Sequence, residues 1–406
     1  MALMVSMMEK RNILTPGELK EFENDKFPFE NIAFEGGGSK GTAHIGAVRV
    51  LEEIGVWKNL KRFAGTSAGA MVAMCGALGY DSHEMEQKMA DGGPSKNATC
   101  KYLAFLPNML THYGWHPGKK MEKWIGEVLK EKLGNANATF EDLYKKYNRE
   151  LCVVVSNVNQ LDCLYCHVKT TPCMKIKEAV RMSISIPGVL FPVKHKDQYF
   201  VDGGLINNYP IRVFDGWYLS MKPQDNFLIR IPEFGNLAAA WDPNTQFGDQ
   251  PNGKTIGVVL YSANEKELFK EELNRRAKEH APNATPEMPK RQSYCVTKGT
   301  FKVEKVVDRL KKGKYRVVEL TKHAESRGIE FRNVFRGFAG KEIKNFKGYF
   351  STVLAMIMLS SKRAFFKRDD LSRTIGVDTG YIGTFDLEMD EEDRNTCLRY
   401  CKLLLE

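Results

Sequence analysis

Short apolar runs alternate with helix-period patterns through the first half of this chain. Residues 32–34 (IAF) form an apolar run that meets three consecutive glycines, and an amphipathic helix pattern begins near Thr42. A second short run at 62–64 leads into Gly65-Thr66-Ser67-Ala68-Gly69, and residues 68–78 continue as a helix. Residues 151–155 and 163–168 read as a hairpin-like pair of strands. Between 79 and 150 the pattern is helical and loop-rich: DGGPSKNATC is a loop, MEKWIGEVLKEKLG an amphipathic helix ending at a glycine, and Thr139 the N-cap of another. Residues 101–115 (KYLAFLPNMLTHYGW) are richly apolar, which favours the core over a channel wall or a flap above Ser67. A further apolar strand ends in Asp202, with two glycines after it and a turn across 205–211.

Two of the strand-to-helix turns are glycine-rich and lie in tandem, the layout of an oxyanion hole beside a nucleophile. Gly65-Thr66-Ser67-Ala68-Gly69 fits G-x-S-x-G, the sharp elbow that lifts a serine hydroxyl above a sheet. A strand reversing directly into a helix brings its flanks together, where Cβ atoms would collide. The helix N-terminus at Ser67 also favours developing negative charge. Taken alone, the pentapeptide equally suits a small-residue turn that packs helix on strand.

The earlier turn, Gly36-Gly37-Gly38-Ser39-Lys40-Gly41, also has the spacing of a dinucleotide site. Such a site needs an acidic ribose partner at the end of the next strand. That strand ends in Gly65-Thr66-Ser67, while Glu52 and Glu53 fall inside the preceding helix. A Walker loop fails because Gly38-Ser39-Lys40-Gly41 is not G-K-[ST]. What remains is a loop whose bare amides can face an oxyanion, where one lost donor costs about 3 kcal/mol. A serine also needs a base, and Asp202 before Gly203 and Gly204 is a candidate, against the plainer reading of an Asp-Gly turn.

In this order GGGSKG, GTSAG and DGG resemble the patatin-like phospholipase family. TAHIGAVRVLEEIG looks like the family's first helix, AVRMSISIPGVLFPV (179–193) like its approach to the base, and RTIGVDTGYIGTFDL (373–387) like a late strand. The likeness covers residues 27–387, with a diverged basic insertion at about 220–364. Residues 1–26 are then an N-terminal extension and 388–406 a C-terminal helix packed on the domain.

The resemblance implies an α/β fold with a mainly parallel central sheet sandwiched between helices. It implies a dyad of Ser67 as nucleophile and Asp202 as base. Gly36, Gly37 and Gly38 form the oxyanion hole, with help from Lys40, and Gly41, Gly65, Gly69, Gly203 and Gly204 support the motifs. A carboxylate is a weak base for serine, so a partly desolvated Asp202 with a raised pKa is expected. The implied reaction is hydrolysis of fatty-acyl esters of glycerophospholipids through an acyl-serine, without metal or organic cofactor. Alternatives are a triacylglycerol lipase and a membrane-binding scaffold with a weak or partner-activated dyad.

Composition narrows the partners. Among 406 residues, 60 Lys and Arg face 50 Asp and Glu, a formal charge of +10. That balance suits nucleic acid or an anionic membrane. No RNA-binding or zinc-finger pattern favours nucleic acid, so peripheral contact with an anionic membrane is expected. Residues 298–322 are densely basic, and Lys341, Lys344 and Lys347 precede an apolar run at 350–359. Neither a signal peptide nor a spanning run is evident, which gives a cytoplasmic expectation. The nine cysteines are then free thiols and the sequons at Asn97, Asn137 and Asn283 unused. Cys163-Leu164-Tyr165-Cys166-His167 matches a haem-attachment pattern, but its strand context argues for buried thiols. His280 or His323 could formally complete a triad; neither lies in a recognisable strand-end loop.

Overall fold

The computed structural model describes residues 13–14, 16–23, 26–92, 105–236, 242–261, 346–365 and 367–379. Residues 1–260 with 353–405 form one compact unit, and 261–352 belong to a second. Of the second unit the described residues are 261 and 346–352, the latter opening a helix. The basic stretch 298–322, Lys341 and Lys344, His280 and His323, and the tail 388–406 lie outside the described residues.

The first unit is built on an eight-stranded sheet. Strand β1 (Asn31–Phe34) lies between β2 (Arg62–Thr66) and β9 (Thr255–Tyr261), and β2 neighbours β4 (Glu150–Asn157), all parallel. β5 (Asp162–Cys166) and β8 (Gln198–Asp202) both pair antiparallel with β4, and β7 (Val193–His195) pairs with β8. β10 (Thr374–Asp378) lies beyond β9. A separate pair joins β3 (Gly114–His116) to β6 (Gly188–Leu190). The core of the sheet is thus parallel, as expected, with an antiparallel flank. That flank follows from the β7–β8 hairpin, whose two-residue turn Lys196-Asp197 holds both residues at positive φ (47° and 60°). β9 falls inside the stretch expected as an insertion, yet it is a central strand beside β1.

Helices cover one face: α1 (Ala43–Glu53), α2 (Ala68–Ala77), α3 (Ser82–Gly92), α5 (Lys119–Leu133), α6 (Phe140–Tyr147) and α7 (Ile176–Ser183). Strand alternation turns Ile32, Phe34, Phe63, Val153 and Val155 toward them. All of α2 is buried, which its composition AGAMVAMCGA permits because no residue in it is charged. α6 opens with a capping box between Thr139 and Asp142, and α5 closes at Gly134 with φ 78°.

The opposite face of the central strands is lined differently. Among the described residues, Ala33, Ala64 and Val154 pack there against Tyr209, Phe214, Trp217 and Phe247, mostly from an irregular segment. The small sheet residues leave room for large rings, and aromatic bulk does there what a helix would otherwise do. The run 101–115 also departs from expectation. Its described residues include helix α4 (Phe105–His112) and the start of β3, and Leu110 and Tyr113 stand in solvent rather than in the core. A late helix, α8, spans Phe346–Phe365.

The cysteines of the haem-like pattern sit in β5, and Cys152, Cys163 and Cys166 are free thiols that burial pushes far above their ordinary pKa. His167 is enclosed and bonded to Glu150 (3.0 Å). Among the described residues no helix is long and apolar enough to cross a membrane, and no cluster of His, Cys, Asp and Glu could hold a metal ion.

Candidate active site

The register of β4 brings the site together. Residues 150–154 of β4 pair with β2, and the three residues beyond, Val155 to Asn157, pair instead with β8 running the other way. β8 therefore enters from beyond the C-terminal edge of the parallel strands and ends at Asp202, opposite Val155. Ser67 follows directly on Thr66, the last residue of β2, whose own partner is Val154. Two strands of opposite direction thus finish side by side.

The Ser67 hydroxyl donates to Asp202 Oδ2 at 2.6 Å. Both residues are buried, at 2% exposure each. Ser67 is held at φ 54°, ψ −124° at the head of α2, a conformation that L-residues avoid. Its amide donates to Ser183 Oγ (2.9 Å), and that hydroxyl donates to the Val154 carbonyl (2.6 Å). The steric case for the flanking glycines is met on both sides. A Cβ at Gly65 would strike the Gly69 carbonyl, and one at Gly69 would lie 2.5 Å from the Phe34 carbonyl oxygen.

Asp202 has no cationic neighbour among its hydrogen-bond partners. Its Oδ1 accepts the Gly204 amide (2.8 Å), Oδ2 accepts Ser67, and its own amide donates to the Ser185 carbonyl (3.0 Å). Burial pushes the carboxyl up to about 7 from an ordinary 3.8, while the two hydrogen bonds pull it back. Gly203 is needed for contact, since a Cβ there would strike the Val154 carbonyl.

The glycine loop runs alongside the elbow. A Cβ on Gly36 would lie 3.2 Å from Ser67 Cβ, and one on Gly41 would lie 2.5 Å from Ala68 Cβ. Gly38 has φ 54° and opens a short 3-10 turn from Gly38 to Thr42. The three amides expected of an oxyanion hole are not equivalent. Gly36 N–H is committed to the Asn208 carbonyl (2.9 Å), whereas the amides of Gly37, Gly38 and Ala68 have no bonded partner among the described residues. Lys40 is buried behind the loop, close enough to His44 to disfavour a charge there.

Several residues of this site carry no sequence motif of their own. Asn208 clasps Gly36 from both sides: its carbonyl accepts the Gly36 amide, and its side-chain Nδ2 donates to the Gly36 carbonyl at 3.0 Å. It also reaches Glu35 Oε1 (3.3 Å), while Glu35 Oε2 accepts the Leu260 amide (2.7 Å), so loop and β9 are stitched together. Ser361 on α8 donates to the Ile206 carbonyl (2.5 Å) and accepts the Asn208 amide (3.4 Å). His44 bonds the Glu35 carbonyl through Nε2 (2.8 Å), and burial lowers its pKa to about 4, so it stays neutral. Asn208 lies six residues past Asp202 in a polar turn, and that proximity was its one signal in the sequence.

Known proteins resemble this chain over its first half. Residues 32–215 match the patatin-like phospholipase family model. YqhO of Bacillus subtilis is 35% identical over 45% of this chain and 65% of its own length. A protein of Acanthamoeba polyphaga mimivirus is 30% identical over 50% of this chain and 65% of its own length. A probable lipid hydrolase of invertebrate iridescent virus 6 is 24% identical over 46% of this chain and 63% of its own. The chain therefore spans less than two thirds of these relatives. Among solved structures, VipD from Legionella pneumophila aligns over 92% of this chain and 65% of its own, with 17% identity and a TM-score of 0.45. Over residues 32–215, then, the chain is similar to the patatin-like phospholipase family.

Proposed function

We propose that this chain is a lipid acyl hydrolase that cleaves fatty-acyl esters of glycerophospholipids through a serine–aspartate dyad. The observation that carries the reading is the 2.6 Å hydrogen bond from Ser67 to a buried, cation-free Asp202 at a strained elbow. In acylation the Ser67 oxygen attacks the ester carbonyl carbon while its proton passes to Asp202 Oδ2. The amides of Gly37, Gly38 and Ala68 hold the oxyanion, assisted by the N-terminus of α2. Gly36 acts in this scheme as the anchor of the loop rather than as a donor. Collapse expels the alcohol portion of the lipid, which takes the proton from Asp202. Water then attacks the acyl-serine with Asp202 again as base, and as the C–O bond to Ser67 breaks, Asp202 returns that proton to the serine oxygen and the fatty acid leaves.

A carboxyl poised near 7 suits both halves of that cycle. It accepts the serine proton far better than an ordinary aspartate would, and it returns the proton readily. Only the ionised form is the base, so kcat/KM rises with pH through about 7 and levels above it. We read the lipid substrate as reached by peripheral membrane contact, and a neutral glyceride as the competing substrate class.

Mass spectrometry of phospholipid vesicles treated with the full chain and with Ser67→Ala tests the reading. Free fatty acid and lysolipid are expected from the first alone, together with covalent labelling of Ser67 by a fluorophosphonate. Labelling at another residue, or equal product from both proteins, rejects it.

A further inference from the structure

We propose that α4 and the tips of the β4–β5 and β7–β8 hairpins form a rim that inserts into a lipid surface and brings the Ser67 edge of the sheet to it. The inference rests on the lipid-hydrolase reading for its purpose and on the following geometry for its location. Leu110, Tyr113, Val158 and Leu161 are 72%, 59%, 48% and 87% exposed. They come from separate parts of the sequence but are laced together. The Tyr113 ring meets the Tyr199 ring edge-on at 5.8 Å, and the Val158 amide donates to the Tyr199 carbonyl (2.9 Å). The Tyr199 amide in turn donates to Asn159 Oδ1 (2.7 Å).

Position favours a role at the site. Val155 is the partner of Asp202, and the turn from Val158 to Leu161 continues β4 past it, roughly 10 Å further along the strand direction. The β7–β8 tip extends the same way, because β8 reaches Asp202 only after coming back from it. Both tips thus project beyond the dyad on its own edge of the sheet.

Conformation favours it as well. Leu161 has φ 55° and Tyr113 φ 58°, where glycine or asparagine would sit at less cost. A leucine that is strained and almost wholly in solvent gains little within the fold from its side chain. The rim also fits a bilayer better than a protein partner. It consists of separate projecting side chains with tyrosine rings among them, an amphipathic set suited to the headgroup boundary. Charge contributes little, since Lys194 is paired with Asp197 (2.9 Å) and Lys196 remains at that tip. Attachment by insertion, and therefore to zwitterionic lipid, is the consequence.

The test is sedimentation of the full chain with phosphatidylcholine vesicles, alongside turnover of a water-soluble short-chain ester. The Leu110→Asp/Leu161→Asp variant is expected to bind vesicles at least tenfold more weakly while ester turnover stays within twofold. Leu161→Gly, which suits φ 55°, is expected to weaken binding about threefold without loss of fold. Leu228→Asp alters a leucine equally exposed at 87% elsewhere and is expected to bind like wild type. The proposal is overturned if wild type stays in the supernatant, if the rim variants bind unchanged, or if Leu228→Asp weakens binding as much. It is also overturned if the rim instead mediates self-association that the double variant abolishes without lipid. Failure of the enzyme reading looks different: Ser67→Ala would match wild type on the soluble ester while the rim variants still lost vesicle binding.

Discussion

Asp202 and Asp215 are both shielded from water, yet only Asp215 meets a cation. Arg373 clamps it with two bonds, at 2.6 and 2.5 Å, and also holds Asp370 at 2.7 Å. Burial raises the Asp215 carboxyl, and the guanidinium works against that rise. Asp202 receives only a hydroxyl and one amide, so burial carries it up to about 7. A carboxylate that holds the fold is given a permanent charge partner. One left with a proton donor that it can deprotonate is available for chemistry.

The contrast can be broken most sharply by removing each group. If the proposed dyad operates, Ser67→Ala and Asp202→Asn should each lower lipid-ester turnover by roughly 1000-fold or more, because members of such a pair act as a unit. Asp215→Asn should leave turnover per folded molecule near wild type. It should instead destabilise by about 3–5 kcal/mol in chemical denaturation, because Arg373 loses a buried charge partner. Comparable catalytic loss in Asp215→Asn would erase the distinction.

The next effect concerns stability against pH. Asp202 holds its proton to a higher pH folded than unfolded, so between about 3.8 and about 7 the native state binds more protons and stability falls as pH rises. Asp202→Asn removes that slope. The variant should gain on wild type across this window, by up to roughly 4 kcal/mol at pH 8. Parallel stability curves for the two proteins would mean that Asp202 is not desolvated.

The smallest effect separates loop placement from basicity. Asn208→Ala should lower kcat about 10- to 100-fold, as expected when oxyanion donors are misplaced. The midpoint of its pH–rate profile should remain near 7, since burial of Asp202 sets that value. A shifted midpoint would assign Asn208 to the base instead of to the glycine loop.

What was legible in the sequence divides along similar lines. Gly65, Ser67 and Gly69 announce a turn because their constraint is local: the clash relieved at Gly65 involves the Gly69 carbonyl, four residues on. Asp202 was found through the glycines beside it. Asn208, Ser183 and Ser361 were not, because their partners Gly36, Ser67 and Ile206 lie far away in the chain and a single polar residue carries no period. β9 lies within the stretch expected as an insertion, because its neighbour β1 is some 224 residues away, a pairing that no local pattern encodes. The run 101–115 misled for the opposite reason. Apolar character marks burial, and the exposed Leu110 and Tyr113 keep that character without it.

The overhang of β4 has a consequence for synthesis. A growing chain that has emerged through α2 already displays its serine, but the acceptor for that serine's proton lies 135 residues later. The clasp on the glycine loop comes later still, at Asn208. On the proposed dyad mechanism, an interrupted or clipped product ending before β8 would carry an inert hydroxyl.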